Sequence, residues 1–185
     1  MKGASVATHD RQRYEVVLAG TGGQGLVLSG MVLGEAAILE GKNTVQTQSY
    51  GIASRGGLSI AEVIVDEREI IYQQVEKPDV ILALSEETLE KYALLGEKGV
   101  TVFYDSTLAK ARAGANLFGY PFTKIASDLG NAATVNMVSI GALVAKCPLV
   151  KYESLVRVIQ KRFNTHLADS NMRALQLGVE LLKDA

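Results

Sequence analysis

The sequence predicts a doubly wound α/β domain: a mostly parallel sheet with an antiparallel hairpin edge, finished by C-terminal helices. Three observations carry this. Residues 14–39 read as a short apolar run, a cluster of glycines and a helical apolar pattern, a strand–turn–helix unit. Short β-branched runs and helix-like patterns then alternate through the middle of the chain. From residue 134 onward only helical patterns remain.

In the first unit, Tyr14, Val16, Val17, Leu18 and Ala19 have the composition of a strand buried on both faces. Gly20, Gly22, Gly23 and Gly25 let the chain turn tightly. Leu26, Leu28, Met31, Val32, Leu33, Ala36, Ala37 and Leu39 then fit a helix packed back onto the strand. Two extended runs follow, 44–48 and 58–65, the second alternating Leu58, Ile60, Glu62 and Ile64 with Ser59, Ala61, Val63 and Val65. The charged residues 66–69 read as a hairpin turn into Ile70, Ile71 and Tyr72, which supplies the antiparallel edge.

After Lys77, Pro78 and Asp79, the run VILAL at 80–84 is a short buried strand. Ser85 with Glu86 and Glu87 marks a helix start, because a serine cap and early acids satisfy the free amides of a first turn. That helix runs to about residue 95 and is broken by Gly96 and Gly99. Residues 100–104 form the next strand, 116–122 hold a short extended piece, and 123–128 lead toward a helix. Residues 134–146 are apolar enough for a buried helix in which Gly141 and Ala142 permit close backbone approach. Residues 152–163 are amphipathic, and 164–183 form a last helix. With neither repeat nor linker, the chain reads as one domain, 14–185, behind a flexible tail, 1–13.

Composition narrows the function classes. Nineteen basic residues stand against 20 acidic ones, a net charge of −1, so there is no electrostatic footprint for nucleic acid, and nothing supports a membrane. A single cysteine, Cys147, excludes an internal disulfide, a four-cysteine zinc site and a self-contained iron–sulfur cluster. In its apolar surroundings Cys147 reads as a small buried hydrophobe. The start, MKGASVATHDRQR, lacks an apolar signal core, which points to the cytoplasm.

Two glycine-rich stretches stand out. GTGGQG, with Gly20, Thr21, Gly22, Gly23, Gln24 and Gly25, satisfies G-x-G-x-x-G and brings amide groups at a helix N-terminus close to a ligand, most naturally a phosphate. The dinucleotide form of this motif also needs an acid at the end of the second strand, and residues 43–49 contain none, which disfavours a nicotinamide dehydrogenase. QSYGIASRGG at 48–57 is longer than a connection requires and offers Ser49, Tyr50, Arg55, Gly56 and Gly57 to a ligand or partner. Arg55 has a planar fork suited to phosphate or carboxylate. Both stretches are expected outside the carboxyl ends of strands, where open α/β sheets bind ligands. Elsewhere no acid/base pair emerges: His9 lies in the tail, His166 near the start of the last helix, Asp105 where a helix cap is as natural as a catalytic acid, and Asn131 and Asn136 at helix ends.

GTGGQG followed, after one helix and strand, by QSYGIASRGG resembles the gamma subunit of 2-oxoacid:ferredoxin oxidoreductases. The resemblance continues through residues 59–65, PDVILALSEE at 78–87 and NMVSIGAL at 136–143. The second loop departs from the family's usual QSYGPEARGG at Ile52, Ala53 and Ser54. The resemblance implies oxidative decarboxylation of a 2-oxoacid with coenzyme A, giving acyl-CoA, carbon dioxide and reduced ferredoxin, with a 2-oxoglutarate-type enzyme foremost. It places thiamine diphosphate on alpha and beta partner subunits, and iron–sulfur clusters on beta and a ferredoxin-like delta subunit. This chain then holds no cofactor alone and no catalytic residue. It completes the assembly and contributes to coenzyme A binding through the glycine turn and Arg55. Isolated, it is expected to self-associate, as a homodimer, through surface meant for its partners. The alternatives are the small subunit of an indolepyruvate oxidoreductase, an independent nucleotide-binding protein, and a scaffold whose loops meet only other chains.

Overall fold

The computed structural model describes residues 13–51 and 57–183. Six strands form one sheet in the order β2-β3-β1-β4-β5-β6. β1 (Arg13–Thr21) enters at the centre and leads through the glycine turn into α1 (Leu26–Leu39). β2 (Asn43–Tyr50) and β3 (Leu58–Asp66) form an antiparallel pair, and β3 also runs antiparallel to β1. β4 (Val80–Ala83), β5 (Thr101–Asp105) and β6 (Leu117–Tyr120) extend the other side of β1 in parallel. α2 (Glu86–Gly96) links β4 to β5. After β6 come α3 (Phe122–Asp128), a 3₁₀ turn (Ala132–Thr134), α4 (Val135–Lys146), α5 (Tyr152–Arg162) and α6 (Thr165–Glu180).

Helices cover both faces, as a doubly wound domain requires. On one, Val16, Leu18, Ala61, Val63, Leu82 and Phe103 pack against α1, α3, α4, α5 and α6. On the other, Val17, Ala19, Ile81 and Val102 meet Tyr92 and Leu95 of α2. α2 starts as its sequence dictates: the Ser85 hydroxyl accepts the Thr88 amide, the Thr88 hydroxyl accepts the Ser85 amide, and Glu86 and Glu87 occupy the positive end of the helix. α4 and α6 cross at backbone contact. A β-carbon on Gly141 or Gly178 would collide with the carbonyl of Leu175 or Val138 respectively.

One expectation is overturned. Residues 70–72 form no strand, and the antiparallel hairpin is β2–β3 instead. Ile71 is 91% exposed and Tyr72 51%, so neither has a sheet face to enter. The segment leading to β4 is held by side chains: the Glu15 carboxylate accepts the amides of Glu76 and Lys77, and the Asp79 carboxylate accepts the amide of Glu15. β1 takes in Arg13, and residues 1–12, with His9, lie outside the described residues. Among the described residues no helix is long and apolar enough to cross a membrane.

Candidate functional site

The carboxyl end of β1 opens into the glycine turn, and each residue there has a distinct job. Gly25 immediately precedes α1 with φ 73°, a left-handed conformation that costs a side-chain-bearing residue about 1 kcal/mol. A β-carbon there would also come within 2.6 Å of Asn136 Nδ2. Asn136, 2% exposed in the first turn of α4, donates that Nδ2 to the Gly25 carbonyl at 3.3 Å and accepts the Met137 amide at 2.9 Å. The N-terminal ends of α1 and α4 are thereby tied together.

Gln24 folds back over the turn. Its Oε1 accepts the Thr21 amide at 2.7 Å and its Nε2 donates to the Leu84 carbonyl at 2.8 Å, fastening the turn to the end of β4. Gly20 leaves room for this, since a β-carbon there would collide with Gln24 Oε1. Gly20, Gln24 and Gly25 are thus spent on holding the turn's shape. Gly22 and Gly23 are exposed, and the space above Gly23 is open. α1 begins with no side-chain cap and no acid in its first turn. Its leading amides have no intrahelical acceptor, and they point to the positive end of the helix dipole, which suits an anion.

The second stretch meets the first. The Gly22 amide donates to the Gly57 carbonyl at 2.9 Å, and the Gly51 amide to the Leu58 carbonyl at 2.7 Å. Ser49 and Tyr50 end β2 on this same rim, and Tyr50 is 65% exposed. The structure therefore brings together Gly20, Thr21, Gly22, Gly23, Gln24, Gly25 and Gly57, with Ser49 and Tyr50 nearby. Arg55 and Gly56 lie outside the described residues.

The remaining candidates take structural roles. Asp105 is fully buried and accepts the Thr107 amide and both the amide and the hydroxyl of Thr123, which caps α3. Asn131 caps the 3₁₀ turn by accepting the Ala133 amide. His166 is exposed at the start of α6, in an open cleft of about 510 Å³ with Asn131, Asp169, Ser170 and Arg173. Cys147 is half-buried at the end of α4. No group of His, Cys, Asp and Glu among the described residues is arranged to hold a metal. The sequence pointed to Asn136 as a residue that satisfies a helix end, but its partner, the Gly25 carbonyl 111 residues away, was not legible there.

A glycine turn at the end of a central strand, running into an uncapped helix on a sheet wound on both faces, defines an α/β domain with an amide-rich rim at the end of its central strand. Comparison with known proteins makes this specific. The pyruvate ferredoxin/flavodoxin oxidoreductase family matches residues 15–181, and the chain belongs to it. The 2-oxoglutarate synthase subunit KorC of Archaeoglobus fulgidus is 42% identical over 171 residues, 92% of this chain and 88% of KorC. The crystal structure of a keto/oxoacid ferredoxin oxidoreductase gamma subunit from Geobacter sulfurreducens superposes with a TM-score of 0.80 at 33% identity, covering 93% of this chain and 99% of that one. The fold recurs, with a TM-score of 0.84 at 21% identity, in 32% of a chain of the 2-oxoglutarate:ferredoxin oxidoreductase from Magnetococcus marinus, whose structure holds 2-oxoglutarate, coenzyme A and succinyl-CoA. The chain is a homologue of oxidoreductase gamma subunits. Neither the indolepyruvate reading nor that of an independent nucleotide-binding protein is favoured.

Proposed function

We propose that this chain is the gamma subunit of a 2-oxoglutarate-type 2-oxoacid:ferredoxin oxidoreductase and that it presents its glycine rim to coenzyme A. The reacting groups, thiamine diphosphate and iron–sulfur clusters, reside on alpha and beta subunits and on a ferredoxin-like delta subunit. A chain with a single cysteine cannot by itself supply the cysteine ligands of an iron–sulfur cluster, which supports that division. The observation that carries the coenzyme A reading is the uncapped, acid-free start of α1 beneath the exposed Gly22 and Gly23, joined to the second loop by the Gly22–Gly57 hydrogen bond.

The donor set fits the ligand. Coenzyme A carries phosphates, and first-turn amides bind them without any titrating side chain. Gln24 and Asn136 fix the turn so that little backbone freedom remains to be lost on binding. In this reading Arg55 contributes a guanidinium to the same anion.

The test uses the assembled complex. Gly23→Asp, measured against Gly23→Asn, which carries the same backbone strain at φ 98° without the charge, places a carboxylate where the phosphate would sit. At a helix N-terminus this is worth roughly 1 kcal/mol, and the KM for coenzyme A is expected to rise about five-fold while the KM for 2-oxoglutarate holds. Isothermal titration of Arg55→Ala with coenzyme A is expected to give weakened binding. Unchanged coenzyme A parameters in both variants would remove this rim from the site.

A further inference from the structure

The sheet ends on β2, and among the described residues no strand pairs with that edge. Natural proteins blunt an edge strand by shortening it, charging it, interrupting it with proline or covering it. β6, at the opposite edge, has only four residues. β2 has eight, and NTVQTQSY contains neither proline nor any charged side chain. Its backbone phase follows from the ladder. Gly51 donates to Leu58, so these two form a hydrogen-bonded pair, and residues two apart along an antiparallel strand share that role. Asn43, Val45, Thr47 and Ser49 therefore turn their backbone groups toward β3. Thr44, Gln46, Gln48 and Tyr50 turn theirs to the open edge, each with one N–H and one C=O.

We propose that this edge pairs with the same edge of a second copy of the chain, antiparallel about a two-fold axis through Thr47. In that register Thr44 stands opposite Tyr50, and Gln46 opposite Gln48, of the second copy, each as a hydrogen-bonded pair that uses the outward groups. Thr47 stands opposite its own copy as a non-hydrogen-bonded pair. An isologous contact must be complementary to itself, and charge usually defeats this because like charges meet near the axis. β2 has no charge to meet, and equally none with which to select a charged partner strand. Beside the edge, Gly30 and Gly34 seat α1 on Gln46 and Thr44. The inference is independent of coenzyme A binding.

Sedimentation equilibrium of the full chain at micromolar concentration is expected to give twice the 19.8 kDa monomer mass. Gln48→Pro deletes an outward N–H without touching the β2–β3 ladder and is expected to weaken dimerisation at least tenfold. Thr47→Cys is the register test. Opposed non-hydrogen-bonded residues have Cα atoms about 4.5 Å apart, within disulfide reach, so mild oxidation is expected to link two copies. Gln48→Cys, two residues out of register with its own copy, is expected to link at the background set by Cys147. A monomer, a dimer indifferent to Gln48→Pro, or equal linking by both cysteine variants would overturn the proposal. So would a Thr47→Cys link to another subunit in the co-purified complex, which would assign the edge to a partner's strand. The cysteine variants keep the test decisive if Gln48→Pro fails to fold.

Discussion

Truncating Gln24 separates the two tasks of the glycine turn, because this side chain holds the turn without lining its open face. Gln24→Ala removes an acceptor from the Thr21 amide and a donor from the carbonyl of the fully buried Leu84. Each lost hydrogen bond costs about 0.5–1.5 kcal/mol, and a group left unpaired in the interior costs about 1–3. The turn is half-exposed, so water repairs part of the loss, and we expect roughly 1–2 kcal/mol. At this chain length that lowers Tm by roughly 3–6 °C. Gln24→Glu keeps the acceptor for Thr21 but sets a carboxylate against the Leu84 carbonyl, and is expected to be at least as damaging. Gly20→Ala reaches the same contact from the other side, since its β-carbon displaces Gln24 Oε1. A double-mutant cycle by urea unfolding is therefore expected to be markedly non-additive, with Gly20→Ala costing less once Gln24 is truncated. Some penalty persists, because the new β-carbon still lies 3.2 Å from Leu84 Cβ. Strict additivity, or a Tm for Gln24→Ala within 0.5 °C of the parent (about 0.2 kcal/mol), would refute the assignment of Gln24 as the clasp.

Two further outcomes follow from the framework. Gly178→Ala drives a β-carbon into the Val138 carbonyl and within 2.9 Å of the Ala142 amide; these are backbone atoms that can yield only if α4 and α6 separate, so thermal unfolding should show a loss of about 2–3 kcal/mol, or roughly 5–10 °C in Tm. Burial raises the Glu15 pKa, but hydrogen bonds from the Lys77 amide, the Arg13 guanidinium and the Glu76 amide outweigh it and hold the carboxyl below its ordinary range; Asp66 is likewise lowered against its burial, by the Arg68 amide and Arg13. A depressed folded pKa gives stability that is present above the unfolded value, about 4.3 for Glu, and lost as pH falls through the folded value. Glu15→Gln is accordingly expected to lower stability at pH 7 and to flatten the decline in urea midpoint below about pH 4.

The glycine turn and its flanking strand and helix were legible because everything that defines them is local: an apolar run, glycines at fixed spacing and a helical repeat. The hairpin was misplaced for the same reason. Ile70, Ile71 and Tyr72 after a charged cluster look like a returning strand, and nothing local reveals that the Glu15 carboxylate fastens the segment ending at Glu76 and Lys77. The signal that could have corrected this lay in β3. Ile60 and Ile64 on one face and Ala61, Val63 and Val65 on the other are all buried, the composition of a strand flanked on both sides. Glu62 disguised it, and that carboxylate is met on the β2 side by the Thr47 hydroxyl. The two clasps, Gln24 to Leu84 and Asn136 to Gly25, span 60 and 111 residues, which no periodicity encodes.

The insertion of β3 is also what sets Gly57 beside the glycine turn. A strand that followed α1 and lay directly beside β1 in parallel would send its exit loop away from β1 toward the next crossover. With β3 antiparallel between β1 and β2, the chain enters β3 beside the end of β1, and it does so in register: Thr21 faces Leu58, and one step further Gly22 bonds Gly57. The placement of Gly57 against the glycine turn is thus set by the β1–β3 ladder. That ladder is fixed by the core. A slip of one residue would turn Ala61, Val63 and Val65 away from the face they share with Val16 and Leu18, and would drive the Glu62 carboxylate into the core in their place. The geometry of the rim is as secure as the packing beneath α1, and substitutions that loosen that packing should reach the rim before they unfold the chain.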